Sequence, residues 1–236
     1  MNAKDIKKLA EEIDEIGDSR NEFIDRHYLT IRDSYQNNYE WPELDPLRDE
    51  ICLCITFGLC QAAIALTNHL MESLIKYALI ISDGNEVKQT DEERSGTSVS
   101  SFVEKYSKGQ EKYNDANLDT TINCACKKGK HTKDEKKQLH EFRKRFRNAY
   151  GHSDKKKIFG ESTVPVTGMR FNHDTIVPDE EDEPRIADFM IGQGLIQATM
   201  AQNEAPQYFL YIDKLVRGIG SRLFNSKRTG LDQQIE

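Results

Sequence analysis

Between Ile51 and Leu66 the chain is apolar at almost every position, and the run continues through ALTNHLMESLIKYAL. In the second half the polar residues Gln61, Asn68, Glu72 and Lys76 follow one another at spacings of seven, four and four. Such steps return to one face of a helix with 3.6 residues per turn. A helix that is apolar nearly all round in its first half has to be wrapped by other elements. The pattern therefore predicts a central, buried helix from about Leu47 to Ser82 with a single polar face. Asn68, His69, Glu72 and Lys76 make the run too short and too polar to span a bilayer, so no membrane partner is predicted.

The flanking segments supply the wrapping. Residues 4–35 carry Ile6, Leu9, Ile13, Ile16, Phe23, Ile24, Leu29, Ile31 and Tyr35, which predicts an N-terminal helix within 1–38, bent near Gly17. YEWPELDP, with two prolines, is a connector. SDGNEVKQTDEERSGTS lacks periodicity and predicts a loop, followed by a short helix over 99–113 and a helical turn around Thr120–Lys127. Residues 158–183 differ in composition and form an insertion, with a small β-hairpin near 163–171 turning at Thr167-Gly168. DEEDE at 179–183 is a solvated acidic loop. From Arg185 to Phe224 the pattern is helical again, as one or two helices, with Asn203 as a cap and Pro206 near a first turn. The fold class that follows is all-α, an antiparallel helical bundle of about five helices. It is a single domain over 1–236, with its core at about 47–155 plus 185–224.

A hydrophobic fraction of 37% against 31% charged residues suits amphipathic helices better than sheets. The first residues are charged and lack an apolar leader region. Five unevenly spaced cysteines do not make a disulfide framework, so a cytoplasmic location is expected. Cys124-x-Cys126 has one intervening residue where a zinc pair needs two to four, so no metal is predicted. Gly192-Gln193-Gly194 follows no strand and lacks a third glycine, and no other cofactor motif is present.

Net charge is −7, yet residues 127–157 hold thirteen basic and four acidic side chains, a local +9 that leaves −16 for the remainder. A phosphate backbone is attracted to such a segment and repelled elsewhere. Thr132-Lys133-Asp134-Glu135 has the spacing of a capping box that opens a helix. Leu139, Phe142, Phe146, Ala149 and Tyr150 form its apolar stripe, with Arg143 and Arg147 beside it and His131 and His140 assigned to the surface.

That helix closes on Arg147-Asn148-Ala149-Tyr150-Gly151-His152. The run resembles the Arg-x4–6-His signature of the HEPN superfamily, in which a polar residue, often Asn, follows the Arg. The resemblance covers roughly residues 47–155 and the flanking helices loosely. It implies a metal-independent endoribonuclease with no cofactor. Two copies would dimerise so that Arg147, His152 and Asn148 of each meet in one composite catalytic site. RNA is the implied substrate, and the implied setting is a toxin or phage-defence effector restrained by an antitoxin protein. Where some members carry a modifiable Tyr two residues past the His, this chain has Asp154. A non-catalytic HEPN-type module that binds a nucleotide or RNA and dimerises is the alternative.

The chemistry is sound for these residue types. Arg is always charged and can hold a phosphate bidentately as charge builds on a pentavalent phosphorane. His titrates near neutrality and can move a proton to or from a ribose hydroxyl. Arg143, Lys144, Tyr150 and Lys155 are the candidate substrate contacts, Tyr150 either stacking on a base or packing in the core. Glu72 and Asn68 are candidate accessory residues, Glu72 either orienting Arg147 or pairing with Lys76. Arg147 could equally cap a carboxylate, and His152 could sit at a helix C-terminus. Five residues along an α-helix leave side chains about 140° apart. Arg147 and His152 converge only if the helix is distorted, for which Gly151 is the expected place.

Overall fold

The computed structural model describes residues 24–39, 41–86, 99–148, 155–163, 169–172, 175–178, 185–188 and 193–225, together with Asn21 and Tyr150. Gly17, Thr167-Gly168, the DEEDE loop, Gly151, His152 and Asp154 lie outside them. The fold is an all-α helical bundle. Its helices are α1 (24–36), α2 (Asp45–Thr56), α3 (Cys60–Glu86), α4 (Val99–Tyr113), α5 (Leu118–Lys127), α6 (Lys133–Phe142), α7 (Lys155–Phe159) and α8 (Gln193–Asn225).

The apolar run forms two helices, where the sequence predicts one. Gly58 adopts φ 75°, and Leu59 N–H donates to Cys54 O at 2.7 Å while Gly58 N–H donates to Ile55 O at 3.1 Å. This pair of bonds is the Schellman stop, which needs a left-handed residue just past the helix end. The chain then turns into α3, the central element, which packs against α2, α4, α5 and α8. Ala63, Ile64, Thr67, Leu70, Met71, Leu74, Ile75, Ala78 and Leu79 are fully buried on it. Each large aliphatic side chain taken from water contributes about 2 kcal/mol. Ser82 to Glu86, expected as loop, extend this helix. Against the expectation of a run too short and too polar to span a bilayer, this helix is long and apolar enough by length and composition, with 56% of its most apolar window buried inside the bundle. Gly109 lets α4 approach closely, since a methyl group there would lie 3.2 Å from Ile80 Cα.

α8 is one continuous helix of 33 residues, so Asn203 caps nothing and Pro206 lies in its interior. Proline there cannot donate to the carbonyl four residues back. The apolar side chains around it hold the helix together: Ala201, Ala205, Tyr208, Phe209, Ile212, Leu215, Val216 and Ile219 form one buried stripe. The hairpin pairs β1 (Met169–Asn172) with β2 (Thr175–Pro178), antiparallel. It falls later than the 163–171 expected, because Thr175-Ile176-Val177 supplies the second strand.

The connector between α1 and α2 is fastened from within. Arg48 is 2% exposed and places all five guanidinium N–H groups: on Asn37 O, Asn38 Oδ1, Asp45 and, twice, Asp49. Arg217 of α8 donates to Asn37 O at 2.8 Å and Asn38 O at 3.3 Å and pairs with Asp213. The two guanidiniums lie 5.2 and 5.0 Å from the Tyr39 ring centroid, cation–π contacts that help bury this residue of the connector. Carbonyls at the C-terminal end of α1 are thus satisfied by cations, as the helix dipole favours.

Candidate functional site

The capping box forms as the spacing predicts. Thr132 N–H donates to Glu135 Oε2 at 2.6 Å, and Glu135 N–H donates to Thr132 Oγ1 at 3.1 Å. Arg222 of α8 then grips the same carboxylate bidentately, at 2.8 and 2.9 Å, holding Glu135 below the usual carboxylate range. α6 is therefore anchored at its start, and its stripe seats on aromatics of α8. Phe142 meets Tyr208 and Tyr211 at centroid distances of 4.8 and 5.0 Å, and Phe146 stacks on Tyr208 at 4.3 Å.

Beyond Phe142 the helix changes character: Arg143–Asn148 is a π-helical turn. The distortion expected at Gly151 falls outside the described residues; the π turn is a separate one, shortly before it. A π turn bonds residue i to residue i+5, so it closes the five-residue step that an α-helix leaves facing apart, and such turns recur at functional sites. The step from Arg147 to His152 begins within this turn and ends outside the described residues.

The turn's three arginines have different fates. Arg143 Nη2 lies 2.7 Å from Asp119 Oδ1, so this expected substrate contact is already paired with a carboxylate. Arg145 pairs with Glu204 and lies over the Phe146 ring. Arg147 is half-buried and, among the described residues, has no ion-pair partner. Lys144 is exposed and Asn148 half-buried beside it, while Lys155 opens α7. Tyr150 takes the packing alternative: it lies 6.3 Å from Phe146 and touches both apolar clusters, and burial pushes its phenol up to about 12.

The polar face of α3 is engaged in structure. Glu72 pairs with Lys76 at 2.9 Å, whose Nζ also donates to Asn114 O, so of the two alternatives for Glu72 the i,i+4 pair forms. Asn68 accepts a hydrogen bond from Tyr208 at 2.8 Å inside the core. Among the described residues neither bonds to Arg147.

The histidines differ from their surface assignment. His131 is 3% exposed, with Nε2 3.0 Å from Ile122 O and Nδ1 3.2 Å from Thr132 O. Burial holds its pKa below the usual value. The carbonyls it reaches are nine residues back and one ahead, a closure of α5 on α6 that no local pattern announces. His140 is half-buried with Nδ1 3.4 Å from Asp119 Oδ1, and burial lowers its pKa too. Asp119 is thus a junction for His140 and Arg143 that the sequence does not advertise, although Asn117 caps the first turn in which it sits. Among the described residues no three His, Cys, Asp or Glu side chains converge to hold a metal ion. No protein-family model, curated protein or solved structure matches the chain.

Proposed function

We propose that the chain is a metal-independent endoribonuclease of the HEPN kind, in which Arg147 and His152 from two copies meet at one composite site. A single observation supports this: of the three arginines on the π turn, two are neutralised by carboxylates, and Arg147 has none among the described residues. A half-buried guanidinium with no carboxylate on it attracts an external anion, and phosphate suits its fork of donors. His152 of one copy takes the 2′-hydroxyl proton, and the 2′-oxygen forms a bond to phosphorus. The bond to the 5′-oxygen breaks, and the second copy's His protonates the leaving oxygen. Arg147 stabilises the charge on the phosphorane between these events.

The chemistry dictates the ends of the products. RNA incubated with the protein in excess chelator should yield fragments with a 2′,3′-cyclic phosphate and a 5′-hydroxyl. Fragments with a 5′-phosphate, or cleavage that stops on chelation, would exclude this mechanism. A dimer that binds RNA at Arg147 without breaking it would instead identify a non-catalytic module.

A further inference from the structure

An open groove of about 550 Å³ lies between the π turn and α7, lined by Gln138, Glu141, Phe142, Lys144, Arg145 and Lys157. Its volume falls in the range of small-ligand sites. Phe142 is half-buried, and its ring is backed by Tyr208 and Tyr211, so it forms a supported floor. Lys144, Arg145 and Lys157 are exposed at the rim against the single carboxylate of Glu141. Arg145 shares its charge with Glu204 and so stays fixed in place. Lys144 and Arg145 precede His152 in the sequence, and Lys157 follows it.

An aromatic floor under a cationic rim is how proteins hold single-stranded nucleic acid, the bases stacking and the cations following the backbone. A duplex cannot offer the same fit, because its base faces are already stacked on one another. We propose that this groove holds one unstacked nucleotide of a single-stranded RNA, its base on Phe142 and the flanking phosphates at Lys144 and Lys157. Gln138 and Glu141 lie where the edge of the base would be. The proposal rests on the chain acting on RNA, but Arg147 does not line the groove, so the two assignments separate experimentally.

The test is fluorescence anisotropy with a labelled single-stranded RNA of mixed sequence and the corresponding duplex, on the whole chain at low salt. Phe142→Leu keeps apolar volume and removes the stacking face, and should weaken single-strand binding on the order of tenfold. Lys144→Glu with Lys157→Glu, both on exposed side chains, should weaken it at least as much and flatten its salt dependence. Lys108→Glu with Lys214→Glu alters the net charge equally outside the groove and should bind like wild type. Circular dichroism confirms that each variant is folded. Groove variants with wild-type affinity, or a duplex bound as tightly as the single strand, would overturn the assignment. If the groove variants keep their affinity while Arg147→Ala abolishes cleavage, only the groove is wrong. If they lose affinity and nothing is cleaved, the groove stands and the ribonuclease proposal falls.

Discussion

The ring of Phe146 lies nearly parallel to that of Tyr208, centroids 4.3 Å apart and planes 19° apart. Tyr208 also donates its hydroxyl to Asn68. One contact thereby ties the π turn to α8, and through it to the central helix. Tyr208→Phe keeps the stack and strands the Asn68 carbonyl in the core, where an unsatisfied polar group costs about 1–3 kcal/mol. Urea unfolding should show a lower midpoint with an unchanged slope. Phe146→Ala removes the stack itself and should cost about 3–5 kcal/mol. The two changes share a partner, so the double variant should depart from additivity.

Arg48 should be among the least replaceable residues of the chain. Arg48→Met removes five hydrogen bonds, leaves Asp45 without its cation and exposes the α1 carbonyls to an apolar neighbour. Removing one partner of a buried ion pair costs on the order of 3 kcal/mol. The thermal unfolding midpoint of this variant should fall by several degrees more than that of Arg32→Met, whose side chain is half exposed and, among the described residues, pairs only with exposed Asp33.

Legibility in the sequence followed the range of the interaction. The Thr132–Glu135 box and the Leu139–Phe142–Phe146 stripe are local, and the structure places them as the spacing predicts. Gly58 was readable in principle, as a glycine within an apolar run where a helix must stop. The Arg48 and Arg217 clasp was not, because Arg217 and the Asn37 carbonyl are 180 residues apart. Pro206 misleads in the other direction: its local signal is a helix start, and the buried stripe of α8 overrides it. Within the candidate site, the need for a distortion was derivable from helix geometry. Which arginine would lack a carboxylate among the described residues was not, since Asp119 and Glu204 reach the π turn from distant parts of the chain.

Gly58→Ala tests the break between α2 and α3. A left-handed conformation costs a side-chain-bearing residue roughly 1–2 kcal/mol, and φ here is 75°. The variant should unfold at a correspondingly lower denaturant concentration. If it were as stable as the native chain, the two helices would not need this stop.

Stability should decline on mild acidification. Burial lowers the pKa of His131 and of His140 in the folded state, so between their folded and unfolded values the unfolded chain binds more protons. Stability from these groups is therefore complete above the unfolded value near pH 6.5 and is lost as pH falls from there. His131→Gln should reduce the slope of unfolding free energy against pH in that window. An unchanged slope would show that His131 is not the source.

The most direct measurement is the rate at which single-stranded RNA is cleaved in excess chelator by the native chain, Arg147→Ala and His152→Ala, each confirmed to be folded and of the same oligomeric state. The composite-site account predicts that the native chain cleaves and that each substitution slows it at least ~10²-fold, the lower range of general acid–base help. Equal cleavage by all three, or none by a native dimer that binds the RNA, would contradict it.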